Sequence, residues 1–258
     1  MSKNVLSLAL ALAALTVMAC GGGGGEAPAP KTAEPPAAPA ATATAQTGNA
    51  AITGTASYSN GDPDAAIKMA ADPVCDGLHN EAVYTEKVVA SGGNLANVFV
   101  YVKSGISGSY PAPADKVLLN QQGCQYFPHV SGIMVGQTLV IKNSDPTLHN
   151  VHAMAKVNQE FNQGQPFQDM EIEKSFDKPE VMVPFKCDVH PWMSSYMGVL
   201  DHPFFAVTGD DGSFSINGLP AGTYEVEAWH EQFGARTLTV EVAADGTAEA
   251  DFDFSPAA

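Results

Sequence analysis

Short stretches in which apolar residues recur at every second position, separated by turn sequences, restrict the fold of this chain more than any other feature. The alternating stretches include 98–103, 223–228 and 238–242, and turn sequences occur at 60–63, 210–213 and 219–222. A period of two places apolar side chains on one face of a β-strand. No amphipathic helical pattern and no internal repeat is visible, and residues 155–180 are polar without periodicity. The sequence therefore predicts an all-β fold built as an antiparallel sandwich.

The first twenty residues have the pattern of an export signal. Lys3 precedes the mostly apolar run 5–15, and small residues lead up to Cys20. The run is too short to be a stable membrane span, so residues 1–19 are predicted to be removed. The segment 17–20 resembles a bacterial lipoprotein cleavage box, which implies that Cys20 is acylated. The alternative is ordinary export that leaves Cys20 free. In lipoproteins of this kind, an Asp after the acylated cysteine would argue against the outer membrane. The residue here is Gly21, so the resemblance implies the outer membrane, on its periplasmic or cell-surface face.

Residues 20–50 predict a disordered tether, because glycine and then alanine, proline and threonine dominate them. Such a segment buries too little apolar surface to fold, and it holds the folded part away from the lipid. We expect the chain to contact the membrane through its N-terminal lipid only.

The chain is strongly acidic, with 28 acidic and 12 basic residues and a formal charge of −16. Nucleic acid is excluded as a partner, because phosphate binding needs clustered Lys and Arg. A basic redox protein, cytochrome-like in charge, suits this surface. The alternative is that the acidic surface serves only solvation. The sequence leaves the oligomeric state open.

The four cysteines fall into three roles. Cys20 is assigned to lipid, which leaves Cys75, Cys124 and Cys187. An odd cysteine outside the cytoplasm suggests a reactive or metal-bound thiol. Cys187 has a histidine and a methionine close by, whereas the other two lack such neighbours. A Cys75–Cys124 disulfide with Cys187 kept as a thiolate is the economical interpretation, which the sequence alone does not prove.

A candidate set of metal ligands lies in and before the segment 187–193. Cys187, His190 and Met193 are close enough for one loop to present all three to a single ion. Thiolate, imidazole and a weak axial thioether form the ligand set of an electron-transfer copper site, which also needs a second histidine. His149 is the best donor, and Asn150 could hydrogen-bond to the cysteine loop and keep the two segments in register.

These two segments resemble those of the cupredoxins, amicyanin and plastocyanin in particular. Residues 187–193 match the amicyanin-type pattern Cys-x-x-His-Pro-aromatic-Met, and residues 148–152 match the upstream histidine segment. The resemblance covers roughly residues 95–200 and implies a Greek-key β-sandwich. It also implies one type 1 copper held by His149, Cys187, His190 and Met193.

Several residues carry alternative interpretations. Met197 competes with Met193 as axial ligand, because the glycine expected soon after the axial methionine comes only at Gly198. His152 is a weaker candidate ligand, and His129 is interpreted as structural. Zinc is the main rival metal, since cysteine and histidine also suit it.

The route of electron exit depends on two residues of the cysteine loop. The electron would pass through His190 if that residue faces solvent at the loop tip. Trp192 either lines the exit surface or caps the core.

The tail resembles a carboxypeptidase-regulatory or transthyretin-like β module. Residues 211–216 and 218–226 carry this resemblance, which implies a second, smaller β-sandwich over 201–258. Residues 51–94 remain unassigned between the two domains. The segment 52–58 could supply the first strand of the tail module, or it could belong to the copper sandwich.

The sequence thus predicts an exported, lipid-anchored type 1 copper protein that carries single electrons and is not an enzyme. A copper-trafficking or storage lipoprotein is the first alternative, with Met154, Met170 and Met182 as auxiliary soft donors. A metal-free β-sandwich for adhesion or carbohydrate binding is the second alternative.

Overall fold

A computed structural model describes residues 47–59 and 64–256 of the chain. The predicted signal sequence, the lipidation site Cys20, most of the tether and the turn at 60–63 lie outside these residues. Among the described residues, no helix has the length and apolar character needed to cross a membrane.

The described residues form β-strands and one short helix, so the all-β prediction is confirmed. The helix is α1 (Pro73–Gly77). The first ten strands are β1 (Ala50–Ser57), β2 (Ala90–Ser91), β3 (Asn94–Leu95), β4 (Phe99–Ser104), β5 (Val117–Gln122), β6 (Gln125–Phe127), β7 (Val130–Met134), β8 (Leu139–Asn143), β9 (His149–Ala153) and β10 (Phe161–Gln165). The remaining strands are β11 (Met170–Lys174), β12 (Glu180–Lys186), β13 (Ser194–Leu200), β14 (Phe205–Val207), β15 (Ser213–Leu219), β16 (Gly222–His230), β17 (Gly234–Val242), β18 (Thr247–Glu249) and β19 (Phe252–Asp253).

Two sheets of the middle of the chain enclose one core. Their strand orders are β10-β9-β12-β13-β7 and β11-β8-β5-β6. Leu119 and Ile141 from one sheet are buried in the same cluster as Ile133, Val151 and Phe185 from the other. Alternate side chains of each sheet therefore face this shared interior, as in a β-sandwich.

Strands β10 and β11 occupy the segment that showed no periodicity. Each lies at the edge of its sheet, and their side chains are mostly exposed or half-buried. An edge strand that buries little apolar surface needs no apolar alternation, which explains why the pattern missed both strands.

The tail sheets include strands from the N-terminal part of the described chain. Strand β1 pairs with β15, β18 and β19, so the segment 52–58 contributes to the tail module. Strand β4 pairs with β14 and β16, although the predicted copper domain began at residue 95. The boundary drawn at 95 is therefore wrong in terms of sheet membership. Val98, Val100 and Val102 are buried in the core of the tail module, and this burial holds β4 in the sheet with β14 and β16.

A seam of aromatic side chains joins the two sandwiches. A Cβ placed on Gly198 would lie 2.2 Å from Phe99 Cζ, and one on Gly132 would lie 2.3 Å from Phe205 Cε2. These two glycines let the rings approach the backbone of β13 and β7 closely. His129, interpreted as structural, makes a buried hydrogen-bonding contact across the seam, from its Nε2 to the carboxylate of Glu231.

His230 is a buried histidine of the tail module with only one satisfied ring nitrogen. Its ring stacks on Phe233 with centroids 4.7 Å apart. Its Nδ1 accepts a hydrogen bond from Gln232 N at 3.2 Å, and its Nε2 has no partner among the described residues. Burial in this apolar site lowers the pKa of His230 to about 4.

We predict that this histidine destabilises the protein in mild acid. Between pH 6.5 and about 4 the unfolded chain binds a proton that the folded chain does not. The free energy of unfolding should therefore fall as the pH is lowered through this range, by up to about 3 kcal/mol from His230 alone. Urea denaturation at several pH values measures the loss. His230→Phe should make the dependence shallower by that amount, and an unchanged dependence would contradict the prediction.

Candidate metal centre

The loop between β12 and β13 turns three side chains of the predicted ligand set inward. Backbone hydrogen bonds join Cys187 N to Met193 O at 3.2 Å and Met193 N to His190 O at 2.9 Å. All three residues are buried, whereas the intervening Asp188 and Val189 are exposed. With this three-residue spacing, Cys187, His190 and Met193 all lie on the inner side of the loop.

Strand pairing brings His149 to the same place. His149 begins β9, and β9 pairs with β12 in a register that sets His152 opposite Lys186. Ligand atoms of His149, Cys187 and His190 all lie within 4.8 Å of one another. The two Nδ1 atoms of the histidines are 2.9 Å apart, and Cys187 Sγ lies 3.9 Å from His190 Nδ1. These three buried groups could hold a metal ion.

Two carboxylates orient the two imidazoles. Asp145 Oδ2 lies 2.9 Å from His149 Nε2, and Asp72 Oδ2 lies 2.9 Å from His190 Nε2. An Nε2–H that donates to a carboxylate leaves the Nδ1 lone pair of a neutral imidazole free for a metal. Both Nδ1 atoms therefore offer their lone pairs to the space beside Cys187.

Asp145 is a buried anion that the backbone also stabilises. Its carboxylate accepts hydrogen bonds from Gly123 N at 2.7 Å and Cys124 N at 2.8 Å. Burial raises the pKa of Asp145, but the hydrogen bonds with His149 and these amides outweigh burial and lower it. Burial lowers the pKa of His149, yet the hydrogen bonds with Asp145 and Cys187 raise it overall. The hydrogen bond between the two side chains therefore favours the carboxylate form of Asp145.

Cys187 is the free cysteine of the described residues, and its surroundings favour the thiolate. His190 N donates a hydrogen bond to its Sγ at 3.3 Å. Burial raises the pKa of the Cys187 thiol, but hydrogen bonds from His149 and from backbone amides outweigh burial and lower it. A thiol that ionises readily is a better metal ligand.

Asn150 joins the two ligand segments. Its Oδ1 accepts hydrogen bonds from Asp188 N at 2.7 Å and Val189 N at 3.3 Å, and it lies 3.3 Å from Cys187 Sγ. The position of Asn150 next to His149 had predicted such a hydrogen bond to the cysteine loop. The side chain that follows His149 along the chain therefore holds the cysteine loop against β9.

The register of β12 and β13 separates the two candidate methionines. Lys186 pairs with Ser194, so Cys187 and Met193 are the next residues beyond that pair. Met197 instead pairs with Val183, about 13 Å along the strand from Cys187. Both methionines are buried, but Met193 lies at the loop that carries the ligands.

A segment from the tail module covers His190. This covering segment (residues 64–85) leaves the sheet after β1 and contains α1, whose N-cap is Asp72. Asp72 Oδ1 accepts hydrogen bonds from Val74 N and Cys75 N, while its Oδ2 contacts His190. His190 is only 2% exposed, so the condition set for electron exit through it, exposure at the loop tip, is not met.

The predicted disulfide is present and fastens the covering segment beside the site. Cys75 of α1 is bonded to Cys124, which lies in the turn between β5 and β6. Trp192 Nε1 donates a hydrogen bond to Cys124 O at 3.0 Å, and its ring lies 5.1 Å from that of His190. Trp192 is half-buried and packs against the core, which favours the capping role over the exit surface.

Other candidate donors lie elsewhere. His152 faces away from His149, and its ring nitrogens contact Asp188 and Glu160. Met182 belongs to the seam between the sandwiches. Met154 directly follows the end of β9 that is opposite to His149.

Sequence reasoning missed the two carboxylates, although each had a local signal. Asp145 lies four residues before His149 in a turn sequence, and Asp72 precedes a proline and Cys75 in the pattern of a helix N-cap.

We predict that Asn150 contributes to stability even without metal. Asn150→Ala leaves the amides of Asp188 and Val189 without their acceptor, so the free energy of unfolding should fall by about 1–3 kcal/mol. Asn217→Ala is the matched control, because Asn217 is an exposed residue of β15 whose side chain contacts the hydroxyl of Ser215, far from the cysteine loop. Urea denaturation of both metal-free variants makes the comparison. Equal losses in the two variants would contradict this role for Asn150.

Comparison with known proteins gives one family match and several structural likenesses. Residues 201–255 match the model of the carboxypeptidase regulatory-like domain, where the sequence had indicated such a module. A search of curated proteins found no match.

The solved structures with likeness to this chain include copper proteins at low similarity. Amicyanin from Paracoccus versutus is 21% identical with a TM-score of 0.30, over 39% of this chain and 96% of that one. A purple cupredoxin from Nitrosopumilus maritimus is 20% identical with a TM-score of 0.28, over 33% of this chain and 97% of that one. The Cu-containing nitrite reductase from Thermus scotoductus SA-01 is 21% identical with a TM-score of 0.32, over 40% of this chain and 26% of that one.

Proposed function

We propose that the protein is an exported type 1 copper protein that carries single electrons between redox partners. The observation that carries this proposal is the buried convergence of Cys187, His149 and His190 within 4.8 Å. A thiolate and two imidazole nitrogens suit copper, and Met193 is the thioether nearest to the loop. The sulfur-rich donor set and the orientation of both Nδ1 atoms fit this metal.

Bound copper would take up and release one electron by alternating between Cu(I) and Cu(II). The residues of the chain keep the ligand positions the same in both states. Asp145 and Asp72 hold the two rings through their Nε2 atoms, and Asn150 holds the cysteine loop. Because the ligand groups are buried and fastened by hydrogen bonds, a change of charge at the metal moves them little.

The same arrangement supports a carrier rather than an enzyme. Four protein ligands leave no open position for a substrate, in contrast to a catalytic metal site. His149, Cys187 and Met193 are each at most 1% exposed, and the covering segment closes the side of His190. Electron exchange then needs only a docked partner, with no entry of a molecule into the site.

We further propose that the protein is an outer-membrane lipoprotein, anchored through Cys20 and the tether predicted over residues 20–50. The charge of −16 suits a basic redox partner, whose approach the opposite charges would speed. His190 is covered, so the partner would dock against the covering segment rather than against the imidazole. Val74 and Leu78 supply exposed apolar side chains there.

Loss of the Cys187 thiolate should abolish the optical signature of the proposed centre. We expect the copper-loaded protein to show an intense visible band and an EPR spectrum typical of a copper–thiolate bond. Cys187→Ser should remove both, and His152→Gln should leave both unchanged, because His152 faces away from the ligands. A colourless loaded protein, or a band that survives Cys187→Ser, would overturn the proposal. Zinc in place of copper would give no such band.

The axial assignment yields a prediction on the reduction potential. Removing the thioether in Met193→Leu should raise the potential by roughly tens of millivolts or more, because a weak donor to Cu(II) is lost. Met197→Leu is the matched control at the buried position opposite Val183 and should leave the potential nearly unchanged. Voltammetry of both variants measures the difference. The reverse result would make Met197 the axial ligand.

A further inference from the structure

The Cys75–Cys124 disulfide forms part of the wall of the candidate metal centre. Cys75 Sγ lies 3.6 Å from His190 Nε2. Ligand atoms of Asp72, Cys75 and His190 lie within 4.8 Å of one another, and so do those of Cys124, Asp145 and His149. Both cysteines are fully buried. A structural crosslink needs no such neighbours, and each sulfur here lies among groups that bind metals.

The two sulfurs are not thiolate ligands while they are bonded to each other. Once the bond is reduced, Cys75 and Cys124 become two adjacent thiols, with Cys75 near Asp72 and His190 and Cys124 near Asp145 and His149. Soft thiolates select Cu(I) over harder metals. The carboxylates of Asp72 and Asp145 favour a cation at this position by their charge.

The disulfide is also within reach of a reductant after a small local opening. Of the residues of α1, only Cys75 is buried, so a single helical turn separates the bond from water. A cleft of about 640 Å3 lies beside it, lined by Leu78, His79, Gly123 and Asp145 among others. Gly123, in the wall of this cleft, directly precedes the fully buried Cys124, so only a local opening is needed to reach the second sulfur.

We propose that reduction of the Cys75–Cys124 disulfide creates a second copper site that binds Cu(I) through these two thiolates. A dithiol reductant supplies two electrons and two protons, so that its own disulfide forms and Cys75 and Cys124 become thiols. Binding of Cu(I) by both sulfurs then releases these two protons. His190 Nε2, 3.6 Å from Cys75 Sγ, keeps its hydrogen for Asp72, so the two sulfurs are the donors to this ion.

The chain therefore holds more copper in its reduced state than in its oxidised state. This goes beyond the proposed electron-transfer function, because the second ion uses sulfurs that the first does not need.

Copper counting on the whole exported chain tests the inference. The protein is reduced anaerobically with dithiothreitol, freed of reductant, and titrated with Cu(I) against bicinchoninate, beside an untreated sample. The wild type should change from about one to about two tightly bound Cu(I) per chain on reduction. Cys187→Ser, which lacks the thiolate of the first site, should change from none to about one.

The double variant Cys75→Ser/Cys124→Ser is the matched control and should bind the same amount with and without reductant. Its circular dichroism checks the fold, and Cys187→Ser keeps the test decisive if the double variant does not fold. Copper K-edge absorption on reduced Cys187→Ser should show two sulfur neighbours.

The outcomes separate the two proposals. If reduced Cys187→Ser binds no Cu(I), the second site is refuted while the first can stand. If untreated wild type binds no copper but reduced Cys187→Ser does, the second site stands and the electron-transfer proposal fails. Equal binding by reduced Cys187→Ser and by the triple variant that also lacks Cys75 and Cys124 would refute the second site, since other donors would then hold the ion.

Discussion

The antiparallel pairing of β9 with β12 sets the distance between the two halves of the candidate metal centre. His149 lies at the start of β9, and Cys187 directly follows β12. A slip of one residue in this pairing would turn the imidazole and the sulfur to opposite faces of the sheet. Asn150 guards against such a slip, because its side chain accepts hydrogen bonds from the loop that carries the cysteine. The strand register therefore determines whether His149 and Cys187 can meet, and the loop conformation then sets the positions of the remaining ligands.

The second sandwich contributes chemistry as well as support. Strand β1 belongs to its sheet, and the chain that follows β1 reaches across to cover the imidazole of His190 with Asp72. The disulfide then joins this covering segment to the turn between β5 and β6, whose backbone amides also donate hydrogen bonds to Asp145. Each carboxylate that contacts a ligand histidine therefore lies near one cysteine of the disulfide, Asp72 near Cys75 and Asp145 near Cys124. The environment of the metal ligands is consequently shared between segments that are distant in sequence.

Sequence reasoning predicted what short-range chemistry determines. Cys187, His190 and Met193 lie in one loop, and the cysteine count left Cys75 and Cys124 to pair with each other. The partners of the imidazoles were missed because a carboxylate in a turn looks like any solvated acid until the fold buries it. Whether His190 faces solvent could not be read from the sequence for the same reason, since the segment that covers it follows a strand of another sheet. The membership of β4 was misjudged because both of its faces are buried, so its pattern could not indicate which core it joins.

Two glycines at the seam make the packing of each sandwich depend on the other. Phe99 and Phe205 rest directly on the backbone at Gly198 and Gly132, and no side chain stands between them. A fragment trimmed to the metal-binding half would expose this bare backbone to water, together with the surface that Phe205 now shields. It would also lose the strand that bears Phe99. Replacing either sandwich with one from another protein would bring a ring against a side chain unless glycines stood at the positions of Gly198 and Gly132. Substitutions on one side of the seam therefore require compensating substitutions on the other.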